Sequence, residues 1–302
     1  MDLKQVEYIV EIVKQSNITR AADKLFITQS ALNQQLLKLE KELGTPLFYR
    51  SRSDCRLTEA GEVYIKNAYE LLRIKKETYN TISDIGQMRK GNISVGFTPG
   101  RGITMFMNVY PLFHKEYPDV IIEPVELSVR KQQDLISQGQ LDIGFLTVCD
   151  KCKATLRYIN ICKENIILAI PKTHALASYA TNPFSVINLE KFALDPFVLM
   201  YKESSLRPLI DDLFETAGFQ PKVLFDTSNN DAIVKMIKSG LCCGIVPYYY
   251  IKNALEDIAC FYLTGFPTWD MVACYRNGSY LSHASQRFIV LASEYWSKEI
   301  SS

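Results

Sequence analysis

The sequence predicts a multidomain chain: a mostly-α N-terminal head of the winged helix-turn-helix kind, one long linker helix, then an α/β region of two subdomains. Three observations predict it. Two short helical patterns meet at a turn between Ser16 and Leu43. A proline-free amphipathic run extends from Glu59 to about Lys90, and from Ile93 onward short apolar runs alternate with helical stretches. At 302 residues the chain is too long for one small module and suits two or three domains. Hydrophobic residues make up 47% and charged residues 22%, which supplies sizeable cores and argues against global disorder.

The chain opens on an amphipathic helix with Val6, Ile9, Val10 and Val13 inward, not on a secretory signal. No uncharged apolar run approaches the ~18 residues that span a bilayer. A soluble, cytoplasmic protein with no membrane partner is expected. Ala21 and Ala22 then allow a close helix crossing, and Leu25 anchors it.

In the next helix Leu32, Leu36, Leu39 and Leu43 recur at spacings of four, three and four, one apolar stripe that must pack on the head. The opposite face carries Gln29, Ser30, Asn33, Gln34 and Lys38, and Thr28 suits the N-cap. Gln and Asn can bond an adenine edge bidentately, and Ser serves as donor or acceptor, so this face suits a DNA major groove. An isolated polar face is more often merely solvated. Here a turn or wing after Gly44 adds Arg50, Arg52 and Arg56, placed for phosphates or an adjacent minor groove. Net charge is only +1; residues 1–91 carry 15 Lys/Arg against 12 Asp/Glu, and the remainder 19 against 21. Binding to double-stranded DNA must therefore rest on local arginines and on two copies of the head.

Along the linker helix, apolar or small residues recur at 60, 64, 68, 71, 79, 82 and 85. Such a stripe is too long for a domain of its own size, so pairing with a second copy is expected, and Lys90-Gly91-Asn92 reads as the hinge. Apolar runs follow at 93–97, 141–146, 166–170, 197–200, 244–247 and 271–275, with helix-like stretches at 104–117, 129–138, 206–217 and 230–239. Strand-then-helix alternation means parallel sheets, and about 210 residues suffice for two subdomains facing a cleft.

Eight cysteines stand at 55, 149, 152, 162, 242, 243, 260 and 274. In the cytosol they should be reduced unless they bind metal or sense redox state. Cys149-Asp150-Lys151-Cys152 has C-x-x-C spacing, with Cys162 ten residues on, and carries the chief rival chemistry. A zinc site normally needs four protein ligands, and His114, His174 and His283 all lie elsewhere in sequence, so ordinary thiols and no metal or cofactor are expected.

The head resembles the LysR-type transcriptional regulators through Ala21-Ala22, Leu25, Gln29-Ser30, Leu39-Glu40, Leu43-Gly44, Leu47-Phe48, Arg50, Leu57-Thr58 and Ala60-Gly61. The matches stay in register across nearly sixty residues. Asn33 stands where the family more often has Ser, and Gln15 where Gly is common. The remainder is similar to the family's effector domain, of the periplasmic-binding-protein type, through Leu141-Asp142-Ile143-Gly144 and Ser239-Gly240-Leu241 with Val246-Pro247. There Cys242-Cys243 replace the usual Gly-Ile. The resemblance implies a homodimer or homotetramer on an interrupted inverted repeat, switched by a small-molecule effector. It also implies a division at 1–58, 59–91 and 92–302. The last part would split into subdomain I, about 92–162 with 268–302, and subdomain II, about 163–267.

For the effector, Thr98-Pro99-Gly100-Arg101 follows a strand and opens a helix, where free N–H groups, a hydroxyl and a guanidinium could hold an anion. The resemblance places this segment on one wall of the cleft, with Ser128 at the second strand-to-helix junction. Met200, Tyr201 and Ser204, with Thr227 and Asn229, would form the other wall. A turn with a neighbouring arginine is commonly only a turn, but ligands gather at strand carboxyl ends in α/β domains. A solute-binding protein is the second function class and is disfavoured by the attached DNA-reading head. An enzyme is the third: no nucleophile with a partnered His, no paired carboxylates and no Gly-Lys-Ser/Thr phosphate loop is found.

Overall fold

The structure, a computed structural model, describes residues 2–49, 55–181 and 184–301. The head comprises α1 (Leu3–Gln15), α2 (Ile18–Lys24) and α3 (Gln29–Leu43). Each begins where a short polar side chain replaces a missing helical acceptor. Asp2 accepts from the Gln5 N–H at 2.7 Å, Asn17 from Arg20 at 3.0 Å and Thr28 from Ala31 at 3.2 Å. Val6, Ile9, Val10 and Ile12 of α1 share one core with Ala21, Ala22, Leu32, Leu36 and Leu39. Two positions depart from the expected pattern. Ile12 is fully buried while Val13 is only half-buried, and Leu43 is exposed because α3 runs past the core at its last turn.

After α3 the described residues on either side of the wing meet at one bridge. Phe48 and Leu57 form an antiparallel bridge, and the Tyr49 N–H donates to the Arg56 carbonyl at 2.8 Å. Glu40 ties it to α3 by accepting from the Leu47 N–H at 2.7 Å and from Phe48 at 3.3 Å. The linker helix α4 (Glu59–Ile85) follows, its first turn capped by Thr58 Oγ1, which accepts from the Gly61 N–H at 3.0 Å. A Cβ at Gly61 would lie 2.1 Å from the Leu47 carbonyl oxygen, so the wing approaches the helix only because that residue is glycine.

Beyond α4 come β1 (Gly91–Phe97), α5 (Arg101–Glu116), β2 (Val120–Glu126), α6 (Val129–Ser137), β3 (Ile143–Val148) and β4 (Arg157–Pro171). Then β5 (Val186–Ile187), β6 (Pro196–Met200), α7 (Arg207–Thr216), β7 (Lys222–Thr227), α8 (Asn230–Lys238) and β8 (Gly244–Pro247) follow. The chain closes with α9 (Tyr248–Ile251), β9 (Ile258–Leu263), β10 (Thr268–Tyr275) and α10 (His283–Ser301). The sheets are mixed, not purely parallel as expected. β2, β1 and β3 are parallel neighbours, whereas β10 runs antiparallel to both β3 and β4.

β4 belongs to both halves. Arg157 to Asn165 pair with β10, and Ile166 to Pro171 pair with β8 and β9. The second crossing lies beside the first, where the Ile166 N–H donates to the Pro267 carbonyl at 2.9 Å. The chain thus passes between the halves along β4 and returns beside it between β9 and β10. Each half has its own core, one around Phe97, Phe113 and Phe288, the other around Ile167, Phe197 and Phe261.

The linker helix is held to the α/β part by polar bonds. Lys76 pairs with Asp142 at 2.5 Å, and Asp142 also accepts from the Ser94 N–H at 2.6 Å. Asp84 accepts from the Tyr280 hydroxyl at 2.8 Å, and Glu70 pairs with Arg73 and Arg276. Among the described residues no helix is long and apolar enough to cross a membrane.

Candidate functional site

Two regions carry chemistry. The first is the outer face of α3. Thr28, Gln29, Ser30, Gln34 and Lys38 are exposed and Asn33 is half-exposed, while Leu32, Leu36 and Leu39 face the core. The apolar stripe therefore fixes which side chains point outward. Thr28 caps the helix and exchanges a hydrogen bond with Ser30 at 3.1 Å, which fixes both hydroxyls at the helix start. Arg50 and Arg52 lie outside the described residues. Phe26, absent from the sequence-based set, is 95% exposed on the turn between α2 and α3 and holds a positive φ of 56°.

The second region lies between the two halves. Thr98, Pro99, Arg101, Ser128, Met200, Tyr201 and Ser204 line a cavity of about 170 Å³. Gly100, Thr227 and Asn229 do not. Gly100 is exposed beside it with φ 73°, which bends the chain into α5. Thr227 and Asn229 spend their side chains on the turn into α8: Thr227 Oγ1 accepts from the Asn229 N–H at 3.2 Å, and Asn229 caps Asp231 at 2.8 Å. Their neighbours Ser228 and Asn230 reach the cavity instead. Asn230 is buried, and its side-chain oxygen has no hydrogen-bond partner.

Arg101 is not the free cation expected from the sequence. It is 4% exposed, and its Nη1 donates to Glu164 Oε2 at 2.7 Å. Glu164, fully enclosed on β4, also accepts from Trp269 Nε1 at 2.8 Å and from the Tyr249 N–H at 2.7 Å. The guanidinium lies 4.8 Å from the ring centres of both Tyr249 and Trp296. The pair cancels its charge internally, yet Arg101 Nε and Nη2 remain without partners. Arg101 Nε and Nη2 on one wall, and the Asn230 oxygen on the other, are thus buried hydrogen-bonding groups without a partner. Thr98 Oγ1 sits so close to Gly102 that a Cβ there would lie 2.9 Å from it. Ser128 caps α6, accepting from the Lys131 N–H at 3.4 Å, and keeps its own proton to donate.

Sequence reasoning missed Tyr250, Trp269, Thr147 and Ser205, which also line the cavity. Tyr250 and Trp269 had a signal, a run of three tyrosines and one of only two tryptophans. Thr147 and Ser205 had none, because only folding brings them together: Ser205 Oγ donates to the Thr147 carbonyl at 2.7 Å across the two halves.

One possible metal set occurs among the described residues: ligand atoms of His174, Asp195 and Cys243 lie within 4.8 Å of one another. It is occupied by structural bonds. His174 Nδ1 accepts from the Leu176 N–H at 3.1 Å and Nε2 bonds Asp195 at 3.1 Å. Burial, then the nearby Asp195 charge, pushes the Cys243 thiol up to about 12, so it offers no thiolate.

The chain matches two family descriptions: "Bacterial regulatory helix-turn-helix protein, lysR family" over residues 3–62, and "LysR substrate binding domain" over residues 86–297. It is 27% identical over 247 residues to YybE, an HTH-type transcriptional regulator of Bacillus subtilis, covering 82% of each chain. The Hca operon transcriptional activator HcaR of Escherichia coli is 27% identical over 250 residues, again with 82% of each chain covered. Among solved structures, a cysteine variant of full-length OxyR from Pseudomonas aeruginosa superimposes with a TM-score of 0.72 at 21% identity, covering 99% and 97% of the two chains. CbnR in complex with its target DNA superimposes with a TM-score of 0.62 at 19% identity, covering 98% and 99%. At those identities the two structures speak for the fold.

Proposed function

The chain belongs to the LysR family of transcriptional regulators, with a DNA-binding helix-turn-helix and an effector-binding domain, and on that premise we propose how it reads DNA and what switches it. As an oligomer it reads an interrupted inverted repeat at a promoter through Gln29, Ser30, Asn33 and Gln34 of α3, with Lys38 on a phosphate, one head per half-site. Residues 1–58 form the reading head, 59–91 the linker and hinge, and 92–302 the effector domain. Arg50 and Arg52 would add phosphate or minor-groove contacts at the wing.

A second copy is the natural cover for the linker. Ile74, Ile82 and Ile85 are exposed along α4, in line with a groove of about 760 Å³ where Leu43, Val63 and Leu71 meet the wing. Leaving so much apolar surface in water is unfavourable, and self-pairing removes it.

The switch is a small metabolite held between the two halves. The observation that carries this reading is Arg101, buried at the cavity with two donor nitrogens unpartnered. Buried donors normally find acceptors, so a ligand oxygen completes them. With the Arg101 charge already balanced by Glu164, the ligand needs an acceptor oxygen first; an anionic one makes the stronger bonds. Thr98 and Ser128 add hydroxyls. The cavity is smaller than the roughly 300–1,000 Å³ of drug-sized sites, which favours a compact ligand. A thermal-shift screen of the full-length protein against small carboxylates and amino acids tests this. A hit should stabilise the wild type and lose its effect in Thr98→Val; hits that stabilise both equally place the site elsewhere.

A further inference from the structure

The C-x-x-C segment joins the two halves at the edge of the cleft. Asp150–Cys152 forms a single 3₁₀ turn just after β3, closed by the Cys152 N–H donating to the Cys149 carbonyl at 2.9 Å. The sulfurs lie 2.9 Å apart, and both thiols are half-buried, within reach of a small reagent. A turn of this kind holds its end Cα atoms within about 7 Å, the span a disulfide tolerates. Gln133 of α6 fixes the turn by donating to the Cys152 carbonyl at 2.9 Å.

Both thiols point across the crevice at one acceptor. The Ser205 carbonyl, on the segment leading into α7, receives Cys152 at 3.4 Å and Cys149 at 3.7 Å. Lys151 makes a parallel crossing to Asp212 of α7 at 2.5 Å. Ser205 also lines the cavity. The thiol protons therefore help hold the wall of the cleft in place.

We propose that Cys149 and Cys152 are a reversible dithiol–disulfide pair whose oxidation releases Ser205 and loosens the contact between the two halves of the effector domain. The oxidant is a small disulfide. The Cys149 thiolate attacks one of its sulfurs, that S–S bond breaks, and one thiolate leaves. Cys152 then gives its proton to water, attacks the Cys149 sulfur and expels the second thiolate. Two protein thiols and one small disulfide become one protein disulfide and two small thiols. Burial, and then the hydrogen bond with Cys149, push the Cys152 thiol up to about 12, which makes Cys149 the attacking partner and Cys152 the resolving one. The remaining buried cysteines, Cys242, Cys243, Cys260 and Cys274, have no such access.

The disulfide leaves no S–H to donate, so the Ser205 carbonyl loses both thiol partners while its hydroxyl keeps Thr147. The consequence for ligand affinity rests on the cleft being the effector site; the dithiol chemistry does not.

Full-length protein equilibrated with oxidised and reduced glutathione, then acid-quenched, alkylated and mapped by mass spectrometry, tests this. The 149–152 peptide should become two hydrogen masses lighter, resist alkylation and recover with dithiothreitol. In Cys152→Ser, Cys149 should stop as a glutathione adduct. Hydrogen exchange over residues 203–210 should quicken in the oxidised wild type and stay unchanged in a Cys149→Ser/Cys152→Ser double variant. Two separately alkylatable thiols under excess oxidised glutathione overturn the pair. A disulfide that leaves exchange over 203–210 unchanged overturns the release of Ser205, and leaves the ligand cleft to stand or fall on Thr98→Val.

Discussion

Arg101 Nη1 and Glu164 Oε2 lie 2.7 Å apart with both side chains sealed from solvent, so the residue that opens α5 is locked to the strand that joins the two halves. Removing either partner strands a buried charge. Arg101→Met and Glu164→Gln should each cost about 3–5 kcal/mol of stability in urea unfolding. The double variant should recover much of that loss. Losses that simply add would mean that the two groups do not depend on each other.

On α3, Gln34→Ala should cost ~1–3 kcal/mol on the cognate site and relax base preference, whereas Lys38→Ala should weaken all sequences and lower the salt slope. Fluorescence anisotropy with cognate and scrambled duplexes at several salt concentrations separates the two. Equal losses on both duplexes for Gln34→Ala would reduce that side chain to a non-specific contact.

Leu71 lines the groove where α4 meets the wing. Leu71→Glu would place a charge where a second copy must seat, and should convert the oligomer to monomer in light scattering at tens of micromolar. An unchanged mass would move the interface off α4.

Glu70 links α4 to the effector domain through Arg276. The Arg73 guanidinium, with Arg276 beside it, holds the Glu70 carboxyl down at about 2. A depressed folded-state value stabilises at pH above the ordinary value near 4.5, and that contribution fades as pH falls towards 2. Solvent screens this partly exposed group, so the effect should be small. Thermal melts from pH 6 to 2.5 should show a shallower acid loss for Glu70→Gln than for wild type; parallel curves would show that the pair contributes nothing.

The head was legible almost throughout because its signals are local. A helix stripe such as Leu32, Leu36, Leu39 fixes the outer face from within one element, and Thr28 marks the cap beside it. The strand-and-helix alternation likewise gave the two-part α/β architecture. The edge strand β2 escaped because Glu123 and Pro124 interrupt its apolar run, and the exposed β7 because its apolar run is only Val223 to Phe225. α10 escaped although its buried face packs on α5. The cleft was legible only at strand ends. Thr98 and Ser128 follow from that rule, but the role of Arg101 depended on Glu164, sixty-three residues away, and on aromatic rings brought in by α9, β10 and α10. Cys149 and Cys152 were visible as a spacing, whereas their shared acceptor Ser205 was set by tertiary folding.

The most direct measurement is a paired titration of wild type and Thr98→Val: ligand by calorimetry, using the compound found in the thermal-shift screen, and promoter DNA by anisotropy without ligand. Losing one buried hydroxyl contact should weaken the ligand by about 1–2 kcal/mol, or ~5–30-fold, and leave DNA affinity unchanged. Ligand affinity equal to wild type, or a matching fall in DNA affinity, would contradict an effector cleft separate from the reading head.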